Sequence, residues 1–443
     1  MVSVDRFQEL KKRLEDRTAQ VGILGLGYVG IPLARAFCKA GFRVHGFDVD
    51  TERCALLNRG ESPILHIPAA DLAGLVQSGV FVATTEFKLL RRMDVAIICV
   101  PTPLTTARDP DLSYVRDATT SIRRYMNPGM LVVLESTTYP GTTEEVVRPI
   151  LEESGLDCGV DFFLAFSPER EDPGNREYST STIPKLVGGV DSRSGELARQ
   201  LYSSVVEEVM EVKDARTAEA AKVLENIYRA VNIALVNELK VLFDRMDIDV
   251  WAVIEAASTK PFGFQAFFPG PGLGGHCIPI DPFYLTWRAR QYDLRTRFIE
   301  LAGEINTAMP EFVISKLGDA LNSRGKPLRG SKILMLGVAY KRDVEDTRES
   351  PAFRLLTLLS QKGAEVRYHD PYVPFLKPQH GFQLALESVA LTPEFVAEMD
   401  AVLVVTHHSC IDYAELHKHA QLVVDTRNAL GGIPDPEHKV VRA

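Results

Sequence analysis

An α/β architecture, two Rossmann-like parallel-sheet domains joined by a long central helix, is predicted by three observations in this chain. The first is a glycine turn, Gly25-Leu26-Gly27-Tyr28-Val29-Gly30, set between an apolar strand and a helix-forming run. The second is a stretch from Thr217 to Met246 that contains neither Gly nor Pro. The third is another strand and glycine unit that opens at Lys332. A chain of 443 residues exceeds what one core accommodates, and the boundaries expected are 1–215, 216–315 and 316–443.

Taken in order, the N-terminal segment up to Ala19 is charged and helix-like, Val21-Gly22-Ile23-Leu24 is a buried strand, Pro32 to Ala40 a helix, and Phe42 to Asp48 the second strand. Buried-type strands at Val95 to Val100, Leu131 to Glu135 and Phe162 to Phe166 alternate with helical lengths, which implies a parallel sheet covered on both faces. Within the central helix Lys222 and Asn226 stand at i and i+4 and project from one face. Its apolar positions, among them Val223, Ile227, Val231 and Leu242, drift around the cylinder, as for a helix packed on more than one side. The last unit has a strand at Ile333 to Val338, a helix from about Ser350, and strands at Glu365 to Asp370, Ala401 to Val405 and Leu422 to Asp425.

Composition excludes several functions. A formal net charge of −9 argues against a basic surface for nucleic acid, so any phosphate must be held by backbone amides and a few placed cations. The six cysteines are scattered without a C-x-x-C pair, and His407-His408 lack metal-ligand spacing, so neither a disulfide framework nor a metal is expected. No apolar run approaches a membrane span and no secretory leader is evident, which makes a cytoplasmic protein the expectation.

The glycine turn follows a strand, opens a helix, and precedes Asp48 at the end of the second strand. That context predicts a dinucleotide site. Its pyrophosphate would rest on the helix N-terminus, against the amides of Gly25, Gly27, Tyr28, Val29 and Gly30. Asp48 would accept the adenosine ribose hydroxyls and repel a 2′-phosphate, which selects NAD over NADP. Arg53 is placed to pack on the adenine side.

A second feature is Gly270-Pro271-Gly272-Leu273-Gly274-Gly275-His276-Cys277-Ile278-Pro279-Ile280-Asp281-Pro282, a lone thiol in a glycine-rich loop four residues before a carboxylate. Glycines let backbone close around a bulky ligand that a cysteine can attack. An isolated Cys is otherwise an inert buried thiol.

Seven ordered motifs carry a resemblance: the glycine turn with Ile31-Pro32, Val100-Pro101-Thr102-Pro103, Ser136-Thr137-Thr138-Tyr139-Pro140-Gly141-Thr142, Ser167-Pro168-Glu169-Arg170, the Lys222/Asn226 helix, Gly274-Gly275-His276-Cys277, and Asp346-Thr347-Arg348-Glu349-Ser350. From Val21 to about Leu430 the chain resembles the UDP-glucose/GDP-mannose dehydrogenases, which oxidise C6 of a nucleotide sugar from alcohol to carboxylate. Ser167 to Gly174 and His276 to Leu285 are most similar to the UDP-N-acetylglucosamine 6-dehydrogenase branch, with UDP-glucose 6-dehydrogenase or a dehydrogenase of another UDP-N-acetylhexosamine (galacto or manno) as the alternatives. Pro173, His276 and Ile280 stand where UDP-glucose enzymes have Glu, Ser and Lys.

The resemblance implies two hydride transfers to NAD with a thiohemiacetal and then a thioester on Cys277. It implies that Asp281 and Thr137 hold the water that takes the substrate proton, and that Lys222 and Asn226 stabilise the alkoxide and oxyanion. Glu169 is then the acid/base for thioester hydrolysis. Pro101 and Thr102 join the cofactor site. For the UDP-sugar it implies contacts from Arg170, from the loop including Phe262, Gly263, Phe264 and Gly274, and from Lys341, Arg342, Arg348 and Arg427 on the pyrophosphate side. His276 is open between a base beside Cys277 and a contact to sugar or pyrophosphate. A one-step hydroxyacid dehydrogenase would need neither Cys277 nor the second α/β domain, and a non-catalytic sensor would be expected to have lost one of Cys277, Lys222, Asn226 or Asp281. The central helix suits a homodimer or higher homo-oligomer, and a surface polysaccharide is the implied destination of the product.

Overall fold

The computed structural model describes residues 5–64, 67, 69–105, 109–170, 181–275, 278–378, 382 and 384–443. Of the sequence features above, His276, Cys277 and the motif residues after Arg170 lie outside the described residues. The chain forms two compact units, Met1–Glu225 with Phe283–Leu294, and Asn226–Pro282 with Arg295–Ala443.

The first unit holds β1 (Gln20–Leu24), β2 (Arg43–Phe47), β3 (Phe81–Thr84), β4 (Val95–Ile98), β5 (Leu131–Leu134), β6 (Phe163–Phe166), β7 (Lys185–Gly189) and β8 (Val209–Glu211), in the order β3-β2-β1-β4-β5-β6-β7-β8. Val21 pairs with Val44 on one side and Val95 on the other. Alternate residues of each strand enter opposite layers. Val21, Ile23, Val133 and Phe163 pack with Phe37 and Leu201, while Leu24, Ile98, Leu134 and Phe166 pack with Val115 and Val147. Both faces are covered, which is why these strands are near-continuous apolar runs.

The parallel sheet expected from sequence holds from β3 to β6, and β7 then runs antiparallel to β6. β7 and β8 escape a periodicity argument because β7 ends in Gly188-Gly189 and β8 has three residues. Because β2 and β3 lie to one side of β1 and β4 to β6 to the other, the crevice opens past the C-terminal ends of β1 and β4.

The second unit contains β9 (Lys332–Leu336), β10 (Glu365–His369), a small antiparallel pair β11 (Phe375–Leu376) and β12 (Leu386–Glu387), then β13 (Ala401–Val404), β14 (Val423–Asp425) and β15 (Val440–Arg442). Its main sheet is fully parallel, ordered β10-β9-β13-β14-β15, with its own switch point between β9 and β13. The central helix runs Ala215–Arg245. Asp214 caps its start, accepting the backbone N–H of Thr217 at 2.8 Å. Its end is closed by Asp247 at φ 56°, after which the Ile248 N–H donates to the Phe243 carbonyl at 2.9 Å.

Candidate active site

In the first unit the predicted cofactor residues gather at the strand ends. Gly25 has φ 97°, and a Cβ there would lie 2.6 Å from the Cys99 carbonyl, so only glycine closes this turn. A Cβ on Gly27 would meet nothing within 4 Å, which leaves its backbone open to a ligand. The helix Gly30–Lys39 that follows has no side-chain cap at Val29, as an anion-binding N-terminus requires. Asp48 is buried. Its Oδ2 accepts the Leu26 N–H at 2.8 Å, its Oδ1 accepts the Asp50 N–H at 3.0 Å, and Arg53 Nη1 donates to Oδ2 at 3.3 Å. A carboxylate has about four acceptor directions, so a ribose hydroxyl can be taken up beside these three bonds. The residues present therefore fit a dinucleotide, with Tyr28 on the turn itself. Pro101 and Thr102 follow β4, and the Thr102 carbonyl accepts the Tyr284 hydroxyl at 2.6 Å.

Thr137 lies half-buried in the loop after β5. That loop is tied down by Ser136 Oγ, which donates to the Val100 carbonyl at 2.7 Å, and by Glu219 of the central helix. Glu219 is fully buried and accepts the N–H of Gly141 at 2.5 Å, the N–H of Thr143 at 2.9 Å and the Thr143 hydroxyl at 2.7 Å. Burial raises its pKa to about 7 although all three donors pull the other way. Lys222 lies one turn further along the same helix and is 6% exposed, so the desolvation that makes a cation effective is present.

Glu169 follows β6. Its Oε1 accepts its neighbour's backbone N–H at Arg170, 2.7 Å away, and its Oε2 lies 3.2 Å from Lys185 Nζ. Arg170 itself pairs with Glu225 at 2.8 Å and donates to the Pro184 carbonyl at 2.7 Å. The inert-thiol alternative suits other cysteines. Burial pushes Cys38 and Cys158 up to about 12 and Cys99 well above the ordinary thiol range.

The second unit brings Asn226 and Asp281 together, 55 positions apart in sequence: Asn226 Nδ2 donates to Asp281 Oδ2 at 2.5 Å, and both residues are buried. Arg229 in turn donates to Asn226 Oδ1. Ahead of Asp281 the glycine loop is held by backbone contacts. The Gly270 N–H donates to Asn237 Oδ1 at 3.0 Å and the Gly275 N–H to the Arg348 carbonyl at 3.0 Å. A Cβ on Gly274 or Gly275 would lie 2.7 Å or 2.9 Å from Tyr340, and one on Gly270 would lie 2.3 Å from the Arg427 guanidinium. Side chains from two strand-end loops of the second unit, Tyr340 after β9 and Arg427 after β14, thus pack directly on this loop's backbone.

Arg427 donates to the Val405 carbonyl at 3.0 Å, and desolvation lowers it to about 10. Arg348 is paired with Asp346 at 2.6 Å, and Arg342 lies 3.3 Å from Asp343. Lys341 is half-buried on the same loop after β9. Phe262, Gly263 and Phe264 stay exposed after the helix Val250–Ser258, with Lys260 over the Phe262 ring at 5.2 Å. Sequence reasoning missed Glu219, Lys185, Glu135 and Tyr340. Glu219 alone carried a signal, standing at i−3 from Lys222 on the same helix face.

Three family profiles match the chain in order: the NAD binding domain of the UDP-glucose/GDP-mannose dehydrogenase family over residues 19–206, its central domain over 216–308, and its UDP binding domain over 334–432. A UDP-N-acetyl-D-mannosamine dehydrogenase of Pyrococcus horikoshii is 35% identical over 418 residues, 93% of this chain and 96% of that one. A UDP-N-acetyl-D-glucosamine 6-dehydrogenase of Pseudomonas aeruginosa is 36% identical over 390 residues, 88% and 90% of the two chains. Among solved structures, UDP-D-ManNAc dehydrogenase from Pyrococcus horikoshii superposes with a TM-score of 0.86 at 33% identity, covering 96% of this chain and 98% of that one.

Proposed function

Because the chain belongs to the UDP-glucose/GDP-mannose dehydrogenase family, with NAD as its cofactor, we propose that it oxidises C6 of UDP-N-acetyl-D-glucosamine to the carboxylate. Alcohol to acid is a four-electron change, so two NAD are reduced and one water consumed per sugar. Bound NAD supplies hydride acceptance in both oxidations. The residues of the chain do the rest. In the first step the C6 hydroxyl gives up its proton to water held by Asp281 and Thr137, while the Lys222 ammonium and the Asn226 amide stabilise the alkoxide.

Cys277 then adds through sulfur to the aldehyde, which keeps that reactive species bound as a thiohemiacetal. Loss of the second hydride leaves a thioester. Glu169 takes a proton from the attacking water, the C–S bond breaks, and Cys277 recovers its thiol as the carboxylate leaves. The observation that carries this reading is the buried Asn226–Asp281 hydrogen bond, which joins two members of the proposed set across 55 positions of sequence.

The manno epimer is the second reading, favoured by the Pyrococcus horikoshii relative named for it at nearly equal identity. NADH formed per sugar consumed, followed by absorbance with UDP-N-acetylglucosamine, its manno and galacto epimers and UDP-glucose side by side, separates them. Two NADH per UDP-N-acetylglucosamine, with the others far slower, is the expected result. Two NADH from another of the four reassigns the substrate, and none from any sinks the proposal. Cys277→Ser should lose turnover and retain covalent sugar by mass spectrometry, because an ester is cleaved more slowly than a thioester.

We further propose a homodimer that pairs through the central helix. Leu224, Tyr228, Leu235 and Leu242 lie within one narrow stripe of that helix and are 64%, 46%, 51% and 50% exposed. The product, a nucleotide-linked uronic acid, suits surface polysaccharide synthesis in the cytoplasm.

A further inference from the structure

One buried cation in the first unit serves two carboxylates. Lys185, the first residue of β7, places Nζ 3.2 Å from Glu135 Oε2 at the end of β5 and 3.2 Å from Glu169 Oε2 beyond β6. Its side chain is 5% exposed, that of Glu135 0% and that of Glu169 17%. The other Glu135 oxygen accepts the hydroxyl of Tyr202, a fully buried residue of the helix Ser192–Tyr202, and Lys185 Nζ stands 5.2 Å over the Tyr202 ring. The cluster is therefore anchored on three sides by β5, β7 and the Ser192–Tyr202 helix, and its fourth member, Glu169, occupies the most exposed position.

Two carboxylates share this one ammonium in a low-dielectric setting, where burial raises the Glu135 carboxyl, a costly arrangement if stability were its purpose. A Lys185–Glu135 pair alone would have closed the site more cheaply. The geometry points to a different role: we propose that Lys185 is the positioning residue of Glu169, orienting its carboxylate and keeping it ionised for thioester hydrolysis, with Glu135 and Tyr202 fixing the ammonium in turn. This rests on the role given to Glu169 above. Among the described residues, the charged and titratable groups facing the cluster include Cys99 beyond β4 and Arg170 with its partner Glu225.

The test is the pH dependence of kcat and KM for Lys185→Met, Lys185→Arg, Glu135→Gln and Glu169→Gln. A cation within about 4–6 Å of a carboxylate lowers its pKa by roughly one to three pH units. Lys185→Met should therefore move the acidic limb of kcat up by about one pH unit or more, with KM for sugar and NAD unchanged. Lys185→Arg should restore it. Glu135→Gln frees the ammonium for Glu169 and should move the limb in the opposite direction, to lower pH.

A purely structural role would lower the melting temperature in these variants without shifting the limb in opposite senses. If Glu169→Gln leaves kcat and the limb intact, the role of Glu169 itself fails. If Glu169→Gln removes the limb while Lys185→Met and Glu135→Gln leave it in place, this inference alone is overturned. Should Lys185→Met fail to fold, Glu135→Gln decides, and an unmoved limb in that variant overturns the inference.

Discussion

At Glu219 burial and hydrogen bonding oppose each other and burial prevails, so its carboxyl holds a proton up to about pH 7 instead of about 4.5. The native state thus binds this proton more tightly than the unfolded chain does. The group's contribution to stability is complete below about 4.5 and is lost as pH rises through about 7, a swing of about 3 kcal/mol. Glu219→Gln should flatten that part of the pH profile of urea midpoints, and an unchanged slope would show the carboxyl ionised throughout. The two glycines of the turn differ in a way their shared motif hides. Gly25→Ala forces a side chain onto φ 97° and against the Cys99 carbonyl, and should destabilise the fold by about 2 kcal/mol or more. Gly27→Ala has room for its Cβ, so the melting temperature should hold while NAD affinity falls by about 1.4 kcal/mol or more, tenfold, in a fluorescence titration. Equal losses of stability in both would refute the distinction.

At the scale of elements, the central helix was legible because nothing in it breaks a helix and Asp214 offers a cap. Its exposed stripe was not, since the sequence shows that Leu235 and Leu242 are apolar and not which neighbours leave them uncovered. Leu235→Glu should convert a dimer to a monomer in light scattering without loss of helix content, and a monomeric wild type would sink the helix-mediated dimer. β7 illustrates the opposite case. It contributes Lys185 to a buried cluster with Glu135 and Glu169, yet Pro184-Lys185-Leu186-Val187-Gly188-Gly189 carries too short an apolar run to announce a strand. Antiparallel pairing with β6 sets which way its lysine enters the sheet end.

Across the whole molecule, each compact unit has its own sheet and its own buried clusters. Ligand linkage then predicts separable effects in calorimetry. NAD at about a hundred times its Kd should stabilise the transition of the first unit by about 2.7 kcal/mol, and UDP at the same ratio that of the second. A single transition raised equally by either ligand would mean that the units unfold as one.

The sequence by itself determined the cofactor and the family. The glycine turn, the Asp48 that follows it and the Lys222/Asn226 spacing are local patterns, and their conformations are dictated by neighbours a few residues away. Only the tertiary structure decided what those residues touch. Asn226 meets Asp281 across 55 positions, Glu219 meets Thr143 across 76, and Lys185 joins Glu135 across 50. Such contacts depend on chain reversal and on which groups lose water together. A one-dimensional string does not encode that desolvation until strands and helices have packed, and it is the desolvation that gives these polar groups their strength.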